Sequence, residues 1–155
     1  MRKQAEVEMK KSDITGKKAP DFSLPDLNGK EVSLSDYHGK PVLILFWSIA
    51  SPVCKKSLPN VAKFAEDIKD SDIVMLGVNL DANNPEVAKL AKESGVTFPT
   101  LVGAEKSFAA ANAFGVMRLP VIFVVGKDGT VKGRIFGPFQ SPDELDSEVE
   151  KYDIK

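Results

Sequence analysis

The chain has 155 residues, 43% of them apolar, and 21 basic against 22 acidic side chains leave a net charge of −1. That length suits one domain with its own core, and the balance of charge excludes both the basic face of a nucleic-acid binder and a polyacidic tail. One cysteine and one histidine exclude an intrachain disulfide and a zinc site, and no cofactor or metal is expected.

The opening MRKQAEVEMKKSDITG carries charges throughout and lacks the apolar stretch of a signal peptide. Residues 1–15 are expected to form a charged arm ahead of a domain over 16–155. The apolar run Val42–Trp47 is far too short to cross a membrane. A soluble protein is expected, cytoplasmic as the chain is written, or exported with its leader trimmed.

FSL (22–24) and EVSL (31–34) flank Asn28-Gly29, a strong hairpin dipeptide. PVLILFW (41–47) is apolar at consecutive positions, as a central strand buried on both faces must be. Over 52–69, Leu58, Val61, Ala62, Ala65 and Ile68 recur at helical steps, and Pro59 is expected to kink that helix. DIVMLGVNL (72–80) reads as the next buried strand. A helix over 84–94 is predicted to open with Asn84 as N-cap and Pro85 at the first position, and Gly95 stops it. A further helix covers 106–114. VIFVV (121–125) and VKGRIF (131–136) are strands joined through Asp128-Gly129, and a closing helix opens at Ser141-Pro142 with Leu145 and Val149 inward. This order predicts an α/β domain, a mixed sheet with helices on both faces and an N-terminal β-hairpin.

The stretch FWSIASPVCK (46–55) ends the first long strand and begins a helix. Ser51-Pro52-Val53-Cys54 has the spacing of a Cys-x-x-Cys pair with serine in the first place. Read from packing alone, Ser51 is an N-cap with Pro52 behind it at the first helical position. Cys54 is then a small buried hydrophobe and Trp47 a core residue. A catalytic serine is not supported, because His38 has no evident partner acid and no nucleophile elbow surrounds Ser51. NLDANN (79–84) reads as an acidic-amide loop without a second ligand cluster for a metal.

The run APDFSLPDLNGKEVSLSDYHGKPVLILFWSIASPVCKKSLP, followed by FGVMRLPVIFVVGKDGTVKGRIFG, resembles the redoxin superfamily. That group holds the TlpA/ResA-like thiol-disulfide oxidoreductases and the alkyl hydroperoxide reductase/thiol-specific antioxidant proteins. The resemblance implies a thioredoxin-like fold. It places Ser51 at the position of the attacking cysteine and Cys54 at that of the resolving cysteine. It makes Pro120 the cis-proline that docks an extended substrate, with Leu119, Trp47 and Pro52 around the same surface. Three family features are absent: the tryptophan before the first cysteine is Ala50, and the two positions that carry an assisting carboxylate are Leu45 and Ser57.

Three activities follow as expectations. The first is a thiol-disulfide oxidoreductase family member whose redox activity is impaired or altered by the Ser-x-x-Cys sequence, acting on a thiol or disulfide of a protein or peptide. The second is a one-cysteine peroxidase in which Cys54 attacks peroxide. There Ser51-Pro52-Val53-Cys54 fits the family's T-P-V-C, yet Trp47 replaces an expected proline and Arg118 lies two residues from the expected arginine position, Pro120. The third is a peptide-binding module that does no chemistry. The same string arises whether Ser51 is native or replaces a cysteine of the parent protein.

Overall fold

Six successive apolar residues, each 0–2% exposed, form the strand that organises the molecule. The structure, a computed structural model, describes residues 13–154. Of the arm expected over 1–15, residues 1–12 lie outside the described residues. Ile14 packs against the core, and the Gly16 amide donates to the Val131 carbonyl at 2.8 Å.

The first two strands, β1 (Ser23–Pro25) and β2 (Glu31–Ser33), pair antiparallel as a separate hairpin. Gly29 takes the left-handed turn conformation at φ +84 that its place after Asn28 predicts. A short 3-10 helix over Leu34–Tyr37 follows, which the sequence pattern does not signal. The main sheet holds β3 (Val42–Trp47), β4 (Val74–Asn79), β5 (Thr100–Leu101), β6 (Val121–Val125) and β7 (Val131–Phe136), in the order β5-β4-β3-β6-β7. β3 runs parallel to β4 and β4 to β5, while β6 pairs antiparallel with both β3 and β7. This is the expected mixed sheet. The two-residue β5 has no signal in the sequence, because Pro99 precedes it and its run is too short to carry a period.

Helix α1 (Pro52–Asp67) starts where serine and proline predict, with Ser51 as N-cap. Pro59 sits within it, exposed, and has no N–H to give to the Lys55 carbonyl. Helix α2 (Asn84–Glu93) is capped by Asn83, whose side chain accepts from the Glu86 amide at 3.3 Å, and not by Asn84 as expected. Proline thus occupies the second helical position instead of the first, where its missing N–H is equally harmless. Helix α3 (Glu105–Phe114) ends on Gly115 at φ 71, and α4 (Pro142–Glu150) is capped by Ser141.

Strand alternation divides the core into two layers. Leu43, Leu45 and Trp47 face one way, toward Cys54, Leu58, Val61 and Phe64 of α1 and Leu145 and Val149 of α4. Val42, Ile44 and Phe46 face the other, toward the β1–β2 hairpin and Ala110, Ala111 and Phe114 of α3. Helices therefore cover both faces, and β3 ends with Trp47 at the mouth of the Ser51 turn. No helix among the described residues is long and apolar enough to cross a membrane.

Candidate active site

The turn after β3 is held from the neighbouring strand. Asp81, two residues past the end of β4, accepts from the Ser48 hydroxyl at 2.8 Å, the Ile49 amide at 2.8 Å and the Asn79 side-chain amide at 2.8 Å. Asn79 is fully buried, and its oxygen accepts from the Asp81 amide at 2.8 Å. The Ser48 hydroxyl in turn accepts from the Ala50 amide at 3.1 Å. One carboxylate thereby fixes the backbone that leads into Ser51. Charge-assisted bonds of this kind are the strong ones.

Ser51 is half-buried and its hydroxyl accepts from the Cys54 amide at 3.2 Å, so it is occupied as a helix cap. Cys54 is 1% exposed, inside the same cluster as Trp47, Leu58 and Val61. Burial pushes its thiol above the usual range. Hydrogen bonding to the Ser51 side chain and the Ser48 backbone pulls the other way, and the nearby negative charge of Asp81 adds a smaller push upward. The sulfur is therefore a protonated, covered group at neutral pH.

The β3–β6 register pairs Phe46 with Val121, which continues to Trp47 opposite Pro120. Leu119 and Pro120 thus lie at the same end of the sheet as the Ser51 turn, and the Leu119–Pro120 bond is cis, as the resemblance implied. Pro120 is buried and Leu119 partly so, packed against both core layers. Trp47 is buried at 1% exposure, and its indole N–H has no hydrogen-bond partner among the described residues. Pro52 is exposed on the first turn of α1. Arg118, the peroxidase candidate, is exposed with its guanidinium 4.4 Å from the centre of the Phe136 ring.

Three contributors escape the sequence reading. Gly137, after β7, donates its amide to the Pro120 carbonyl at 2.9 Å, and a Cβ there would meet Pro120 Cγ at 2.5 Å. The following Gly137–Pro138 bond is a second cis bond. Ser57 stands where the resemblance puts a carboxylate. It is 2% exposed and its hydroxyl accepts from the Phe139 amide at 2.9 Å, while Asn60 donates to the Phe139 carbonyl at 2.8 Å. Helix α1 thus grips both backbone groups of Phe139. Beside that grip runs a groove of about 440 Å³ between Val53 and Lys56 of α1 and Pro138, Phe139 and Gln140. The loop 79–84 reads in sequence as an acidic-amide loop without a metal cluster, and in the fold its Asp81 holds the turn that leads into Ser51. The available signal was position: an acid just past the carboxyl end of the strand parallel to β3.

A sequence description of the AhpC/TSA family matches residues 15–134. Over 128 residues the chain is 34% identical to the thiol-disulfide oxidoreductase ResA of Geobacillus thermodenitrificans, covering 83% of this chain and 72% of that protein. Over 122 residues it is 33% identical to ResA of Bacillus subtilis, covering 79% of this chain and 67% of that one. Among solved structures, the thioredoxin domain of a thiol-disulfide oxidoreductase from Bacteroides vulgatus superposes with a TM-score of 0.78 at 26% identity, over 91% of this chain and 98% of that domain. With a cis Leu119–Pro120 bond at the same end of a mixed thioredoxin-like sheet as the Ser51 turn, the chain belongs to the AhpC/TSA family, among its ResA-like thiol-disulfide oxidoreductases, and carries Ser-x-x-Cys at the turn after β3.

Proposed function

We propose that this protein keeps the substrate-docking surface of a thiol-disulfide oxidoreductase and, with Ser51, does not complete a dithiol cycle within one chain. The observation that carries this reading is the Ser51 hydroxyl capping the Cys54 amide while Cys54 itself is 1% exposed. In the two-cysteine reaction an exposed thiolate attacks one sulfur of a substrate disulfide and the other substrate sulfur leaves as a thiolate. The second cysteine then attacks the mixed disulfide, so two electrons pass to the substrate and the protein ends oxidised. A serine hydroxyl has no accessible anion near neutral pH and forms no disulfide, so the first bond is not made. Cys54 is placed to act second, on a sulfur that is not there.

The docking partner is an extended segment of a protein or peptide bearing a thiol or disulfide, laid against Leu119 and Pro120 with Pro52 and Trp47 behind the turn. Reactivity toward peroxide is disfavoured on two grounds. The thiol is covered and pushed up by burial, and the Arg118 guanidinium lies over Phe136.

Insulin reduction with a small dithiol as donor tests the reading. The protein as written is expected at the no-protein background, and Ser51→Cys is expected to turn over. Equal rates for the two would overturn the proposal. Dimedone labelling of Cys54 after peroxide is expected to stay at background, and binding of a peptide partner is expected to survive Cys54→Ala.

A further inference from the structure

At the opposite end of the sheet from the Ser51 turn, where Val42 opens β3 and Val125 closes β6, a second cavity of about 320 Å³ lies open. Its apolar wall is Ala19, Leu34, Val42 and Val125. Three lysines, Lys18, Lys40 and Lys127, stand around it with His38 and Tyr37, against a single acid, Asp21. Asp21 is already engaged, since its Oδ1 accepts from the Phe22 amide at 2.9 Å and the Ser35 amide at 3.0 Å. Among the described residues none of the three lysines is paired with a carboxylate. The neighbouring acids are committed elsewhere: Asp36 accepts from the Ser33 amide at 2.9 Å, and Asp128 holds the Thr130 amide at 3.0 Å and Lys132 at 3.2 Å. Burial, and then the Asp36 charge, push the Tyr37 phenol up, which keeps it a neutral donor.

We infer that this cavity is a binding site for a small organic anion, an aromatic or aliphatic body carrying a phosphate or carboxylate group. The apolar wall takes the body and the three exposed lysines at its rim take the charge. A cleft over low-dielectric walls in which three lysines stand against one engaged acid concentrates anions. The volume falls in the range of small-molecule sites, which pair an apolar lining with a few polar groups. The site shares no lining residue with the redox turn, so it stands whether or not the chemistry proposed above is right.

Phenyl phosphate is the probe, followed by amide chemical shifts on the full chain. Saturable shifts are expected at Gly39, Gly126 and Gly129, with a dissociation constant below roughly 1 mM. Inorganic phosphate and benzyl alcohol each supply half of the recognition and are expected to bind at least about tenfold more weakly. The exposed-lysine double variant Lys40→Gln/Lys127→Gln is expected to weaken phenyl phosphate by at least about tenfold. Lys127→Gln alone, on the β6–β7 turn, provides the same readout should the double variant fold poorly. Absence of saturable shifts at these three glycines, affinity unchanged by the lysine substitutions, or equal binding of inorganic phosphate overturns the inference. Vesicles of phosphatidylglycerol separate the sources of the anion: a soluble ligand predicts no sedimentation with them, and capture on the vesicles overturns the assignment to a small molecule.

Discussion

Cys54 lies in the first turn of α1 and meets the core and not solvent, which sets how its thiol titrates. Its folded-state thiol is raised, so its contribution to stability is whole below the unfolded thiol value of roughly 8.5 and is lost as pH rises through the folded one. The stability advantage of the wild type over Cys54→Ala is therefore expected to shrink between pH 7 and roughly pH 10. Urea melts at both pH values measure it, and a constant difference would contradict the sign. Ser57 has an equally local role. Removing its hydroxyl leaves the buried Phe139 amide without an acceptor, so Ser57→Ala is expected to cost about 1–3 kcal/mol in the same melts.

Connections between elements hold the site in shape. Asp81 ties the end of β4 to the turn after β3 through Ser48 and Ile49. Asp81→Asn keeps one acceptor and loses the charge. It is expected to lower stability by about 1.5–3 kcal/mol, speed hydrogen exchange at Ile49, and bring the Cys54 thiol down. Unchanged exchange at Ile49 would remove Asp81 from this role. Past β7, Gly137 lies against the cis-proline loop with no room for a methyl group. Gly137→Ala must push the Pro120 ring or its own strand aside, with an expected loss of about 1–3 kcal/mol. Amide shifts at Leu119 and Val121 would report the displacement, and shifts confined to residues beyond 139 would show that the ring had not moved.

Across the whole molecule, one aromatic cluster couples the hairpin to the sheet. The Phe114 ring on α3 lies 6.1 Å from Phe22, 5.5 Å from Phe46 and 5.2 Å from Phe123, centre to centre. Phe114 thereby joins a helix, the segment before β1 and two central strands in a single buried layer. Phe114→Ala is expected to cost about 3–5 kcal/mol. Unfolding should still be one transition, with Trp47 fluorescence from the other layer coinciding with far-UV dichroism. Separate transitions for the two signals would mean that β3 does not couple its two faces.

The elements were legible because their signals are local. The period of apolar residues, serine or asparagine with proline at helix starts, and glycine at the turns all act within a few residues. The approximate limits of α1, β6, β7 and α4 follow from them, as does Ser51 as a cap. The resemblance extended this to Pro120 opposite the turn. What the sequence could not supply are groups that meet only when distant segments pack. Asp81 reaches Ser48 across 33 positions and Ser57 reaches Phe139 across 82. Gly137 is needed only because the Pro120 ring arrives beside it. The sequence by itself determined that one sulfur stands where two would act. Only the tertiary structure decided that this sulfur is covered, because Cys54 joins a core layer drawn from β3, α1 and α4, and no local pattern records that meeting.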